Sequence, residues 1–227
     1  MTGGGAHWSD GHAAERRRMV DEQLVARGIR DERVLEAMRA VPRHLFVEPE
    51  WEARAYGDFA LPAPEGQTIS QPWIVARMLE LSALEPDHDV LEIGTGTGYQ
   101  TALLAMLARE VWSVERLEPL LEAARGRLAA LGVKRVNLRL ADGTLGWQEF
   151  APYARVLAAA AAPHVPRALL DQLADGGLLV IPVGGARSQC LEVWRRQRDR
   201  FLRDRYEECR FVPLIGQDAW RENPHHN

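Results

Sequence analysis

Lysine is almost absent from this 227-residue chain: Lys134 is the only one among 28 basic residues, and arginine supplies the rest. The arginines are scattered, so their dominance reads as composition before chemistry. A basic excess is lacking too. With 32 acidic residues the net charge is -4, which argues against a face for nucleic-acid phosphates. Cysteine is scarce, only Cys190 and Cys209, with no CxxC pair, so both read as thiols in a reducing compartment. No apolar run approaches the roughly 20 residues that cross a bilayer, and the Gly-rich start from Met1 to Asp10 has no apolar stretch of the signal-peptide kind. The seven histidines show no metal-ligand spacing, and no metal is expected. His44, beside a Val-Pro-Arg turn, reads as structural and His164 as a surface residue. These absences leave a cytoplasmic protein, expected to be a monomer, with no membrane or nucleic-acid partner.

What remains is long enough for one domain with a substantial core. Residues 1–14 read as a disordered tail. Met19, Val20, Leu24 and Val25 recur at helical spacing from Glu15 to Ala26, with Gly28 as a C-cap. A second helix spans Asp31 to Ala40, and Val47 to Gly66 reads as ordered loop around a small helix. From Trp73 the pattern becomes regular. Helices are expected at 73–84, 99–108, 118–131 and 167–173. Strands are expected at 89–93, 111–114, 136–140, 156–160 and 178–183. That alternation gives an α/β fold, a doubly wound and mostly parallel sheet with helices on both faces. Cys190–Arg196 and Arg205–Val212 then read as an antiparallel C-terminal hairpin. Its arginines (Arg195, Arg196, Arg198, Arg200, Arg203, Arg205) interleave with Asp199, Asp204, Glu207 and Glu208, the pattern of a solvated edge rather than an RNA surface. The single domain thus divides into N-terminal helices and loop (15–72), a cofactor-binding core (73–185) and the hairpin (186–216).

The strongest motif is Val90-Leu91-Glu92-Ile93-Gly94-Thr95-Gly96-Thr97-Gly98-Tyr99. Three alternating glycines follow a buried strand and open a helix, so the backbone turns tightly and a ligand can approach it closely. Two details favour S-adenosylmethionine over a nicotinamide dinucleotide. The spacing is GxGxG rather than GxGxxG, and Glu92 would repel a pyrophosphate while tolerating a cationic sulfonium cofactor. Glu115, at the end of the next strand, can accept ribose hydroxyls. Asp142-Gly143, after the third strand, places an acid where it can accept from an adenine amino group. Each acid alone also fits a strand-end charge or a turn; the argument lies in their succession.

Gly66-Gln67-Thr68-Ile69-Ser70-Gln71-Pro72-Trp73 upstream of that turn resembles the protein-L-isoaspartate (D-aspartate) O-methyltransferase family. So do Val41-Pro42-Arg43-His44-Leu45-Phe46-Val47, Ser113-Val114-Glu115-Arg116, Gly146-Trp147, Ala151-Pro152-Tyr153 and Arg210-Phe211-Val212-Pro213-Leu214. The resemblance implies a Rossmann-like class I methyltransferase. Such an enzyme moves a methyl group from S-adenosylmethionine to the stray carboxylate of isoaspartyl residues in damaged proteins and peptides. It also implies Ser70 as the active-site hydroxyl, Thr68, Ile69 and Ser70 as substrate-binding, and Gly94, Thr95, Gly96, Thr97, Gly98, Glu115, Asp142 and Gly143 as cofactor-binding; Glu92 joins the cofactor-binding set on the charge argument above. By spacing alone Ser70 reads first as the N-cap of the helix beginning near Pro72; the substrate role comes from the resemblance. The chain departs from the family at Ala154, where an aspartate is typical, at Ala159, where a threonine is, and at Ala141, where glycine is usual. Three readings stay open: the repair enzyme, a relative acting on another peptide carboxylate, and a catalytically weak cofactor-binding module.

Overall fold

The computed structural model describes residues 11–221; residues 1–10 of the expected tail lie outside them. Helix α1 (Ala13–Arg18) starts inside that expected tail. It continues through a π-helical turn (Met19–Leu24) and a 3-10 turn (Val25–Arg27) to Gly28, left-handed at φ 97°. Asp31 caps α2 (Glu32–Ala40), its side chain accepting from the backbone N–H of Arg33 and Val34. The aromatic-rich stretch beyond folds as two 3-10 turns, Arg43–Phe46 and Pro49–Arg54, and a short antiparallel pair, β1 (Leu61–Pro62) with β2 (Thr68–Ile69).

Helix α3 (Pro72–Leu81) leads into β3 (Asp89–Ile93), α4 (Tyr99–Leu107), β4 (Glu110–Glu115), α5 (Glu118–Ala130) and β5 (Val136–Leu140). The chain then returns across the sheet through β6 (Tyr153–Ala158), α6 (Arg167–Asp171), β7 (Leu173–Gly184), β8 (Gln189–Gln197) and β9 (Arg200–Cys209). The seven-stranded order is β5-β4-β3-β6-β7-β8-β9. The five strands from β5 to β7 pair in parallel, and β7-β8-β9 antiparallel. Strand order therefore reverses between β3 and β6, and ligands of such sheets lie outside the strand ends at that point.

Period-two alternation divides the core between the two faces. Val90, Val111, Leu157 and Val180 pack in one cluster with Met19, Val20 and Leu24 of the π-helical turn and with α2, α3 and α4. Leu91, Ile93, Val114, Val156 and Leu179 pack in the other, with Leu169 and Leu170 of α6.

Three strands differ from expectation; β7 is one, beginning at Leu173 rather than Leu178. Strand β6 begins at Tyr153 and ends at Ala158, although alanine is a poor strand former. Parallel ladders to β3 and β7 hold it from both sides, so pairing overrides propensity. The alanines beyond it admit the C-terminal segment closely: Ala161 donates to the Val212 carbonyl and Leu214 donates to the Ala161 carbonyl, both at 2.8 Å. Strand β9 starts five residues before the expected Arg205, with the turn tightened to Arg198-Asp199, because β8 supplies a full partner ladder.

Asp31→Ala removes the α2 cap and is expected to lower unfolding stability by about 1 kcal/mol in urea titration. An unchanged midpoint would mean water replaces the cap without cost.

Candidate active site

At the strand-order reversal a cleft opens above the C-terminal ends of β3, β4 and β6. Its floor is the turn from Gly94 to Thr97, its near wall Glu115–Leu117, and its roof Gln67–Ser70 with Val212–Ile215. The turn needs glycine: Gly94, Gly96 and Gly98 have φ of 92°, 54° and 92°, a region that side chains with a Cβ avoid. Gly98 also faces α5, where an added Cβ would stand 3.3 Å from the Ala124 Cβ.

Glu115 ties the floor to the wall. One carboxylate oxygen accepts from Gly96 N–H at 2.9 Å, and the other from Arg116 and Leu117 N–H at 2.8 and 3.0 Å. Three of the four lone pairs are thus taken, and one on the oxygen facing Gly96 is free, so one hydroxyl of a diol could bind without breaking these bonds and the second would share the other oxygen with its two backbone donors.

Glu92 lies under the turn rather than on the cleft lining. It is 0% exposed and accepts only from neutral groups: Gln100 Nε2 at 3.1 Å, Thr101 Oγ1 at 2.5 Å and Ser113 Oγ at 2.6 Å. Ser113 in turn shares a hydrogen bond of 2.7 Å with Thr95 of the turn. Burial pushes the Glu92 carboxyl up from 4.5 to about 7, although the three donors oppose the rise. Asp142 is likewise off the lining, whereas Gly143 is on it. The Asp142 carboxylate accepts from Thr144 N–H and Oγ1 at 2.8 and 2.7 Å and from Gln217 N–H at 2.8 Å.

Thr68, Ile69 and Ser70 all line the roof. The cap position of α3 is Gln71, not Ser70. The Gln71 side chain is occupied elsewhere, donating to the Asp58 carboxylate at 2.7 Å. The Ser70 carbonyl accepts from Arg43 Nη2 at 2.8 Å, and its hydroxyl makes no hydrogen bond to the described residues. Of the departures from the family pattern, Ala159 reaches the cleft wall and Ala154 and Ala141 do not.

Sequence reasoning missed several participants. Tyr99, Gln100 and Leu117 line the cleft, and nothing in their spacing distinguishes them from ordinary helix-start and loop residues. The segment 212–215 lies far along the chain; only its likeness to the family's Arg-Phe-Val-Pro-Leu run marked it. The expectation that the histidines form no ligand grouping also needs correction. His12, His44 and Glu52 bring possible ligand atoms within 4.8 Å of one another, a long-range convergence that spacing cannot show. They form hydrogen bonds, His12 to Glu52 at 3.2 Å and His44 Nδ1 with the Tyr56 hydroxyl at 2.7 Å. His164 is exposed and pairs with Asp218 at 3.0 Å. Cys190 and Cys209 are free, and among the described residues no helix is long and apolar enough to cross a membrane.

A cleft over a glycine turn at the strand-order reversal, with an acid closing the end of the following strand, defines a Rossmann-like domain of the methyltransferase kind. The family model described as protein-L-isoaspartate(D-aspartate) O-methyltransferase matches residues 14–219, and the chain belongs to that family. The chain is 52% identical over 209 residues to the protein-L-isoaspartate O-methyltransferase of Trichlorobacter lovleyi, covering 92% of this chain and 96% of that one. Against the Geobacter metallireducens enzyme of the same name it is 50% identical over 206 residues, covering 90% and 95%. A solved protein-L-isoaspartate O-methyltransferase superposes with a TM-score of 0.80 at 27% identity, over 89% of this chain and 67% of that one.

The raised Glu92 pKa makes stability depend on pH. In the unfolded chain this carboxyl loses its proton near 4.5 and in the folded protein near 7, so between those values the folded state holds more protons. Its contribution is full below about pH 4.5 and is lost as pH rises to about 7. Urea titrations of the wild type and Glu92→Gln across that window should show the wild type losing stability relative to the variant, by a few kcal/mol in order of magnitude. Parallel curves would contradict the assignment.

Proposed function

We propose that this enzyme transfers a methyl group from S-adenosylmethionine to the free carboxylate of L-isoaspartyl residues in damaged proteins and peptides. The observation that carries the reading is the Ser70 hydroxyl, unbonded within the described residues, in the same cleft that Glu115 lines. The family shared with relatives about 50% identical over nine-tenths of the chain favours repair over a narrower peptide substrate or a binding-only role.

S-adenosylmethionine supplies an electrophilic methyl carbon and leaves as S-adenosylhomocysteine. The donor set fits it. Glu115 has a free lone pair for one ribose hydroxyl, and the second can share the oxygen that Arg116 and Leu117 hold. The Gly94–Gly98 turn, Thr95 and Thr97 hold the remainder. Gly143 forms the adenine side, with Asp142 steering from behind it. Glu92 acts from beneath, by fixing Thr101 and Ser113 and through them the turn.

The substrate oxygen belongs to a carboxylate, which ordinarily loses its proton at a pH of ~4 and is ionised at neutral pH, so no side chain need remove a proton. The protein's work is positioning, which in favourable cases is worth on the order of 7–11 kcal/mol of barrier. Ser70 donates its hydroxyl hydrogen to the carboxylate, and Thr68 and Ile69 set the roof above it. The oxygen gains the methyl carbon as the carbon–sulfur bond breaks. When the neighbouring backbone nitrogen closes on the ester carbonyl, the N–C bond forms, the C–OCH3 bond breaks and the methoxy group leaves as methanol with the proton the nitrogen gives up, leaving a succinimide. Hydrolysis of the succinimide returns part of the material to normal aspartate. We further read the enzyme as a cytoplasmic monomer without a nucleic-acid partner, a reading supported by its two free thiols and its net charge of -4.

Incubation with labelled S-adenosylmethionine and a matched isoaspartyl/aspartyl peptide pair is expected to give base-labile esters on the isoaspartyl peptide alone. Ser70→Ala should lower kcat/KM about 10- to 100-fold, the loss of one donor to a charged group at the reacting centre. Equal labelling of both peptides, or full activity in Ser70→Ala, would contradict the reading.

A further inference from the structure

Arg43 is 0% exposed, yet among the described residues it makes no ion pair. Its Nε donates to the Ala55 carbonyl and its Nη2 to the Ser70 carbonyl, both at 2.8 Å. The guanidinium carbon stands 4.9 Å from the centre of the Tyr99 ring. The remaining Nη1 is buried with no hydrogen-bond partner. Ser70 and Tyr99 are both cleft-lining residues, so this cation lies directly behind the wall of the site.

An unpaired buried charge is costly, and a structure that keeps one forgoes the stability a neutral residue would give. Holding two carbonyls in place does not require a full positive charge. Arginine stays protonated even where burial lowers its pKa, and the adjoining Tyr99 phenol, pushed up to about 12 by its own burial, does not neutralise it. The charge is therefore available to the cleft, where the low dielectric lets it act over several ångströms.

We propose that Arg43 is a positioning and charge-selecting residue for the methyl acceptor: it fixes the Ser70 segment and sets up the positive potential that an incoming carboxylate meets. The proposal rests on the isoaspartyl reading above. Substrate reach then decides which carboxylate is methylated, while Arg43 ensures that the group is anionic. The arrangement also explains how the site accepts an anion when Glu115 forms part of the same cleft. Glu115 lines the cleft, whereas the cation lies behind it, against Ser70 and Tyr99.

The test compares two peptides, an isoaspartyl peptide and the same peptide with that carboxylate converted to an amide. Their affinities are measured by calorimetry in the presence of S-adenosylhomocysteine. The wild type is expected to prefer the carboxylate by about 10-fold or more. Arg43→Lys should keep most of that ratio. In Arg43→Met and Arg43→Gln the ratio should fall towards one, with affinity for S-adenosylhomocysteine unchanged. A purely structural role predicts instead that the neutral variants weaken both peptides equally, and that result overturns the proposal. A wild-type ratio near one overturns it as well and needs no variant to fold. Absence of methyl esters on the isoaspartyl peptide would defeat the methylation reading alone, since the ratio of affinities is read without turnover.

Discussion

A carboxylate with no cation beside it sits beneath the point where the strand order reverses, and much of the site hangs on it. Glu92 gathers Gln100 and Thr101 from the first turn of α4 and Ser113 from β4. Ser113 passes the connection to Thr95. Strand, turn, helix and neighbouring strand are thus tied by side chains at one buried locus. Burial favours the protonated form, in which Glu92 is itself a donor; the hydroxyls of Thr101 and Ser113 can rotate to accept. Fully satisfied buried networks of this kind fix one arrangement of their members. Here that arrangement is a turn whose backbone faces an open cleft.

Above the turn, the glycines leave backbone bare, Glu115 turns its carboxylate on Gly96 and the start of α5, and the roof brings the Ser70 hydroxyl to the same cleft. Behind the roof lies Arg43, the converse of Glu92: a buried cation whose neighbours are carbonyls and phenol rings. Methyl transfer to a carboxylate consumes one negative and one positive charge, so the barrier is sensitive to fixed charges around the reacting atoms. The protein holds such charges in its interior, where water does not screen them, and uses no general base.

Local chemistry was legible wherever a residue's own conformation was at stake. Gly28 as a left-handed cap, Asp31 as an N-cap, and the strands 89–93 and 136–140 follow from spacing and turn residues, and the glycine turn follows from its motif. Depth and distance were not legible. Nothing in Val-Leu-Glu-Ile-Gly tells whether Glu92 points into the cleft or beneath it, because strand alternation gives a face and not what lies there. Ser70 looked like a cap because Pro72 marks a helix start, yet Gln71 holds the cap position. The alanine run concealed the true extent of β6, which is set by ladders to strands on either side. Arg43 and the His12–His44–Glu52 grouping depend on contacts between residues 12 to 56 positions apart, beyond the reach of any periodicity.

The account stands most directly on where the two substrates meet. A crystal structure of the protein with S-adenosylhomocysteine and an isoaspartyl peptide tests it. The account predicts the ribose hydroxyls on Glu115, the sulfur facing the roof, and the isoaspartyl carboxylate between that sulfur and the Ser70 hydroxyl. A peptide carboxylate bound away from Ser70, or a cofactor product seated outside the Gly94–Glu115 cleft, would contradict it.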